Sequence, residues 1–94
     1  MALLGSFTKQ PREVLDFDIS YATVLLGRSD TITGVTLEVA PAGLTLSPAV
    51  VTTGVSKAKA SAGTTGITYK ITALATSSAG LVYEDEINVL VEEV

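Results

Sequence analysis

Two stretches near the C-terminus decide the fold class of this 94-residue chain: residues 67–75, with the sequence ITYKITALA, and residues 83–91, with the sequence YEDEINVLV. Apolar and polar residues alternate along both stretches, which is the two-residue period of a β-strand with one buried face. The apolar set is odd-numbered in each strand: Ile67, Tyr69, Ile71, Ala73 and Ala75 in the first, and Tyr83, Ile87, Val89 and Val91 in the second. The two stretches therefore predict a β-hairpin that packs on a core.

The register of this hairpin follows from the parity of its buried residues. Because both buried sets are odd-numbered, directly opposed residues must have an even sum, and the connecting loop must contain an odd number of residues. A three-residue loop at 78–80, with the sequence SAG, places Gly80 at the position that needs a left-handed backbone. This register opposes Ile71 to Ile87 and turns Asp85 inward, unless a bulge rotates Asp85 out.

The middle of the chain contains further short strands separated by turn residues. Residues 14–20 alternate again, with Asp16 and Asp18 on the polar face. Residues 31–40 predict another strand, and residues 44–53 predict one that Pro48 interrupts, which places it at an edge or a bulge.

Residues 56–61 alternate small side chains with Lys57 and Lys59. Lysines along a strand commonly protect an exposed sheet edge from pairing. We therefore interpret this stretch as an edge strand.

This pattern of strands and turns predicts the fold class. About seven short strands with turns every ~8–12 residues are typical of an all-β, immunoglobulin-like or fibronectin-like β-sandwich, which we assign to residues 13–94. Within it, residues 66–73 resemble the penultimate strand of such domains, in which a tyrosine hydrogen-bonds back to the preceding loop. Tyr69 would have that role here, with an ordinary core tyrosine as the alternative. The chain has no cysteine and no tryptophan, so it is not an antibody-type domain.

Residues 1–12 are expected to form an extended N-terminal arm or an edge strand. Apolar residues alternate with small ones until Gln10, and Pro11 then lacks the N–H group that a sheet ladder requires. Two interpretations stay open: a first edge strand of the sandwich, or a segment that docks on a neighbouring subunit.

The chain lacks the residues on which most enzymes and metal sites depend. Without histidine or cysteine, the usual general bases, thiol nucleophiles and soft metal ligands are missing. Asp16 and Asp18 lie on one strand face, and paired carboxylates of this kind catalyse glycoside hydrolysis in some enzymes. Together with Asp30 and Asp85 they are also candidate oxygen ligands for calcium. A small sandwich offers little cleft, and the spacing matches no calcium loop, so we interpret them as a solvated face. We expect no enzyme activity, no metal and no cofactor.

The charge and hydropathy of the chain exclude two further classes of partner. The formal net charge is −4, and the basic residues form no cluster beyond Lys57 and Lys59, so we expect no nucleic-acid binding. No stretch approaches the ~20 apolar residues of a membrane span, and the start lacks the features of a signal peptide, so we expect no membrane partner.

Two features favour assembly with other proteins. Charged residues make up only 17% of the chain, which is low for a small soluble domain. Leu74 and Leu90 fall on the face opposite the core set of the hairpin, among threonines. A flat and weakly charged face with exposed leucines is a candidate interface.

Two motifs resemble the small virion proteins of tailed bacteriophages known as fibre–tail adaptors. In residues 7–19, with the sequence FTKQPREVLDFDI, a Thr-Lys-x-Pro arm precedes a Leu-Asp-aromatic-Asp strand. The second motif is the step Asp30-Thr31-Ile32 into the next strand, and residues 63–69 and 76–80 are also similar to this family. Family members often carry an aromatic residue shortly before the Asp-Thr-Ile step, whereas residues 23–26 read TVLL here.

The resemblance implies a non-enzymatic structural protein of a tailed bacteriophage, present in the virion and assembled in the cytoplasm of the host bacterium. As an adaptor it would contact tail and fibre proteins and copies of itself as a homo-oligomer. The contact residues implied by the motif, together with the two outward leucines, are Phe7, Thr8, Lys9, Gln10, Pro11, Asp16, Asp18, Leu74 and Leu90. Two alternatives stay open: a capsid decoration (cement) or head–tail joining protein, and an immunoglobulin-like surface- or carbohydrate-binding module.

Overall fold

The computed structural model describes residues 2–27 and 29–93, without the side chains of residues 2, 3, 23 and 24. Within these ranges the chain forms eight strands and one helical turn, α1 (Ala22–Leu25). The strands are β1 (Ala2–Lys9), β2 (Leu15–Ser20), β3 (Ile32–Ala40), β4 (Leu44–Leu46), β5 (Val50–Thr52), β6 (Val55–Ala62), β7 (Ile67–Ser77) and β8 (Val82–Val91). Met1, which belongs to the predicted arm, and Val94, which belongs to the predicted domain, lie outside the described residues.

The strands form two sheets that face each other, so the predicted all-β sandwich is confirmed. Sheet A has the order β1-β8-β7-β3, with β1 parallel to β8 and the other neighbours antiparallel. In sheet B, β6 pairs with β2 on one side and with β4 and β5 on the other. Within the described residues, the segment 13–94 contains seven strands (β2 to β8), as predicted, with the stretch that Pro48 interrupts divided into β4 and β5; residues 2–9 add β1 as an eighth strand. The immunoglobulin-like classification stays a prediction.

The β7–β8 hairpin has the predicted register. Ile71 opposes Ile87, and the Ser77 N–H donates to the Leu81 carbonyl at 2.8 Å, which closes the three-residue loop. Gly80 has a φ of +85°, the left-handed conformation that this loop requires. Since the pairing runs through Asp85 without a register shift, the Asp85 side chain faces inward and is half-buried.

The core lies between the sheets and is dominated by the predicted inward residues of the hairpin and of β2. Tyr69 is fully buried, and its hydroxyl accepts a hydrogen bond from the Thr64 N–H at 2.9 Å. This confirms the predicted contact of Tyr69 with the preceding loop. The buried apolar set comprises Phe17, Ile19, Tyr21, Ile32, Leu44, Ala58, Ala60, Tyr69, Ile71, Ala73, Ala75, Ile87, Val89 and Val91.

The prediction that residues 56–61 form an edge strand is wrong. β6 is the central strand of sheet B, with partners on both sides. Its small residues alternate with lysines for another reason: Ser56, Ala58 and Ala60 are buried against the opposite sheet, whereas Lys57 and Lys59 point to solvent. Large side chains from the facing strands fill the core there, so β6 contributes small ones.

Candidate interaction surfaces

The structure does not gather the predicted contact residues into one site. Thr8, Leu74 and Leu90 lie on the outer face of sheet A, and Asp16 and Asp18 lie on the outer face of sheet B. The remaining four lie at one end of the sandwich (Gln10, Pro11) and between the sheets (Phe7, Lys9). The two outer faces are therefore the larger candidate surfaces.

The outer face of sheet A, called the A face below, presents threonines and leucines in rows across the strands. Leu90 lies between Thr8 of β1 and Thr68 of β7. Leu74 is likewise opposite Thr36 of β3 and, on its other side, Glu84. Both leucines are half-buried among these neighbours. The two rows form a flat face, and each row contains accessible apolar groups.

The centre of the A face is acidic. Glu86 and Glu38 flank Thr72 from the two neighbouring strands. The Lys70 Nζ lies 3.1 Å from the Glu86 Oε2, as the predicted register places them on a diagonal, and this is the only ion pair in the described part of the chain. The face thus keeps a net negative charge between its two leucine rows.

The outer face of sheet B, called the B face below, carries charges of both signs. Asp16 is opposite Lys59, and Asp18 is opposite Lys57, in the register of β2 with β6. All four side chains are exposed. Next to them the break between β4 and β5 leaves a shallow cavity of about 240 Å³, where the exposed Val50 meets the lysine stems.

Among the predicted contact residues, Lys9 differs most from the expected surface position, because its side chain is fully buried. The Nζ donates hydrogen bonds to the carbonyl oxygens of Gln10 (2.7 Å), Pro11 (3.1 Å) and Ala62 (2.5 Å). The last of these acceptors ends β6, so Lys9 connects sheet A to sheet B at this end. The available signal in the sequence was parity, since Lys9 is two residues after Phe7 and shares its inward face.

Phe7 also contributes to the interior. Its ring centroid lies 6.2 Å from that of Phe17 on the facing strand, with the rings tilted by 30°. This separation is within the range in which aromatic pairs attract each other. Phe7 is only half-buried, because β1 is the edge strand of sheet A and leaves one side of the ring accessible.

Asp30 connects the start of β3 to the β7–β8 loop, a role that the sequence analysis missed. Its Oδ1 accepts hydrogen bonds from the Thr31 N–H (2.8 Å), the Ala79 N–H (3.1 Å) and the Ser78 hydroxyl. The Ser78 hydroxyl, followed by further donors of these loops, lowers the pKa of Asp30 to about 2. The Asp-Thr-Ile step at residues 30–32 was the available signal in the sequence, because strand alternation assigns no partner to its aspartate.

Asp85 and Tyr21 lie inward near the same end of the sandwich. Burial raises the pKa of the Asp85 carboxyl. Burial, and then the negative charge of Asp85, raise the pKa of Tyr21 to about 12. The Tyr21 hydroxyl is buried and finds no hydrogen-bond partner among the described residues.

Asp30 and Asp85 are expected to give the stability opposite dependences on pH. The lowered pKa of Asp30 means that its stabilisation is present above the ordinary carboxyl value of 3.8 and is lost as the pH falls towards about 2. The pKa of Asp85 is raised by burial, so the fold loses stability as the pH rises from 3.8 through this raised pKa and the buried carboxyl becomes charged. At about pH 7, we therefore expect Asp30→Asn to lower the free energy of unfolding and Asp85→Asn to raise it.

Both differences from wild type should shrink as the pH falls to about 2, where the Asp85 carboxyl is protonated and the Asp30 carboxyl is half protonated. Urea unfolding followed by circular dichroism over this pH range measures them. Shifts of the same sign in the two variants, or shifts independent of pH, would contradict the assignment.

Among the described residues, no group of three or more histidine, cysteine, aspartate or glutamate side chains is arranged to hold a metal ion. None of the helical segments in the described ranges has the length and apolar character to cross a membrane.

Comparison with known proteins gives one family. A family model described as "Podophage GP4 fiber-tail adaptor protein gp77" matches residues 9–90. The match includes β2 through β7 and most of β8, whereas it includes only the last residue of β1. No curated protein matches the chain.

Proposed function

Since this chain belongs to the podophage GP4 fibre–tail adaptor family gp77, and hence to the structural proteins of a phage, we propose that it joins tail and fibre components of the virion through protein–protein contacts alone. No step of this function requires catalysis. We treat residues 13–94 as the domain that makes the connection, with residues 1–12 contributing the added strand β1.

The observation that carries the proposal is the chemical difference between the two outer faces. An adaptor must bind two partners at once, each at its own surface. The A face offers threonine and leucine rows around an acidic centre, whereas the B face offers paired rows of aspartate and lysine. Because the faces are on opposite sides of one sandwich, two different proteins can bind without competing for space.

The A face fits a partner surface of apolar and uncharged polar groups. Burial of Leu74 and Leu90 would remove apolar area from water, and the flanking threonines would supply hydrogen bonds at the rim. The acidic centre at Glu38 and Glu86 would favour a partner with a basic residue at the middle of the contact.

The B face fits a partner with a complementary pattern of charge. Asp16 and Asp18 on one strand, beside Lys57 and Lys59 on the next, define an orientation as well as a sign. Exposed charges of this kind guide encounter and register more than they add affinity, and salt screens them. The contact through the B face should therefore weaken with ionic strength more than the contact through the A face.

The localisation that follows is the virion, with assembly in the cytoplasm of the host bacterium. Contacts between copies of the chain belong to the same proposal, because an adaptor at a symmetric tail is present in several copies. Gln10 and Pro11, at the end of the sandwich, would then lie close to a neighbouring copy or to the tail surface.

Variants of the two faces test the proposal, and each serves as the control of the other. We expect Leu74→Arg with Leu90→Arg to abolish binding to one of the two partners, purified tails or purified fibres. We expect Asp16→Lys with Asp18→Lys to abolish binding to the other partner only. Pull-down with each partner separately, after circular dichroism has shown that the variants fold, measures both effects.

A result in which both double variants still bind tails and fibres would contradict the use of these faces. Binding of the wild-type protein to purified heads, and not to tails or fibres, would contradict the adaptor function itself.

A further inference from the structure

The edge strands of this sandwich differ in how well they resist pairing with another strand. β2 carries the exposed charges of Asp16 and Asp18, and the edge formed by β4 and β5 is broken at Pro48. β3 carries Glu38 and has an irregular register near Gly34. Charge, proline and irregularity are the usual means by which proteins prevent edge-to-edge association.

The regular part of β1, residues 5–9, lacks these features. It contains no proline, and its only charged side chain is Lys9, which is buried. Its pairing with β8 is regular from Gly5 to Lys9, after a register shift between Leu3 and Gly5. This stretch is therefore an edge without protection.

The direction of the main-chain groups of β1 follows from one hydrogen bond. The Lys9 carbonyl accepts from the Glu92 N–H at 2.9 Å, so the main-chain groups of Lys9 face β8. In a strand the N–H and C=O of one residue point to the same side and alternate along the chain. The groups of Phe7 and Gly5 thus also face β8, whereas those of Ser6 and Thr8 point away from the sheet.

We propose that this free edge pairs antiparallel with β1 of a second copy, with a two-fold axis at Phe7. Ser6 of one copy then lies opposite Thr8 of the other, and Thr8 lies opposite Ser6. Each of these opposed pairs forms two N–H···O hydrogen bonds, because the main-chain N–H and C=O groups of Ser6 and Thr8 are the ones that point away from the sheet. The four-stranded sheets of the two copies become one continuous sheet. This inference specifies a contact between copies that the proposed function leaves open, and it does not depend on the binding of tails or fibres.

A second copy fits this edge because the pairing opposes no like charges. Ser6 and Thr8 would face each other across the strands, and hydroxyl pairs of this kind are favourable. An equivalent pairing of β2 with itself would place Asp16 opposite Asp18, which is unfavourable. The chemistry of β1 is therefore compatible with its own two-fold image, whereas that of β2 is not.

Phe7 supplies the apolar part of the contact. It would lie opposite its twin in a pair without mutual hydrogen bonds, with Cα atoms about 4.5 Å apart. The accessible side of each half-buried ring would be covered, and each ring already packs on Phe17 of its own copy. A contact one strand wide is small beside the ~1,200–2,000 Å² of stable interfaces, so the association should be weak and concentration-dependent.

Cysteine cross-linking tests the register directly, because the wild-type chain contains no cysteine. A mixture of the Ser6→Cys and Thr8→Cys variants should form a disulfide-linked dimer under oxidised glutathione, since opposed residues lie about 5.5 Å apart, within disulfide range. Either variant alone should cross-link about tenfold less, because its own cysteines lie on a longer diagonal. A mixture of Thr8→Cys with Thr45→Cys on β4 is the matched control and should not cross-link above the level of the single variants.

A second measurement covers the unmodified protein. Sedimentation equilibrium should show a reversible dimer at high concentration, and Ser6→Pro should abolish it without loss of cooperative unfolding, since that N–H makes no bond within the copy. A wild-type protein that stays monomeric, or single-cysteine variants that cross-link as well as the mixture, would overturn the proposal. Tail and fibre binding is measured independently, so failure here leaves the adaptor function intact.

Discussion

Replacement of Lys9 by methionine is expected to lower the free energy of unfolding by about 2–3 kcal/mol. Methionine matches the length of the buried stem but cannot donate to the carbonyls of Gln10, Pro11 and Ala62. Hydrogen bonds from a charged donor are worth about 1.5–3 kcal/mol each, and the removal of a buried charge offsets part of the loss of three such bonds. The lost contacts join β1 to the end of β6, so both the edge strand and the closure of this end are weakened.

The measurement is urea unfolding followed by circular dichroism, because the chain has no tryptophan. Lys57→Met is the matched control, since Lys57 is exposed on the B face. It should change the free energy of unfolding by no more than about 0.5 kcal/mol. If the Lys9 and Lys57 variants were equally stable, the buried hydrogen bonds of Lys9 would contribute nothing to the fold.

Replacement of Gly63 by alanine is expected to lower the free energy of unfolding by about 2–4 kcal/mol. Gly63 has a φ of +98°, where side chains of L-residues are strained. An added Cβ would also lie 2.7 Å from the Val91 Cγ2 and 3.3 Å from the Leu44 Cδ1. Val91 is fully buried, so it cannot move without opening the core.

Gly66→Ala separates the two causes, because Gly66 has a φ of +86° but no atom within 4 Å of an added Cβ. It should show only the backbone cost, about 1 kcal/mol. Equal losses at the two positions, measured by the same urea unfolding, would show that the close approach to Val91 contributes nothing.

The hairpin shows how far a local pattern can specify tertiary structure. The parity of its buried residues and the position of Gly80 left one register, and the sandwich has that register. The hydrogen bond of Tyr69 was expected from the resemblance of residues 66–73 to immunoglobulin-like domains. The register, and the inward position of Asp85 in the absence of a bulge, followed from the alternation. These predictions succeeded because a strand period of two residues fixes the facing of every side chain once one is known.

The position of β6 shows where the same reasoning fails. Its lysines fit an edge strand and a central strand with one solvated face equally well, since both place Lys57 and Lys59 outward. Which strands flank β6 depends on long-range pairing with β2, β4 and β5. Alternation reports the facing of a residue and carries no information about neighbours in the sheet.

Local alternation was enough to predict the all-β class, the register of the final hairpin and the inward and outward faces of β2, β7 and β8. The folded arrangement was needed to show that Lys9 is a buried donor between the two sheets and that Asp30 holds the distant β7–β8 loop. It also decided that the predicted contact residues divide between two opposite faces. The physical reason is the range of the interactions: alternation is written in neighbouring residues, whereas these contacts join segments about 50 residues apart in the chain, such as Lys9 with Ala62 (53 residues) and Asp30 with Ala79 (49 residues).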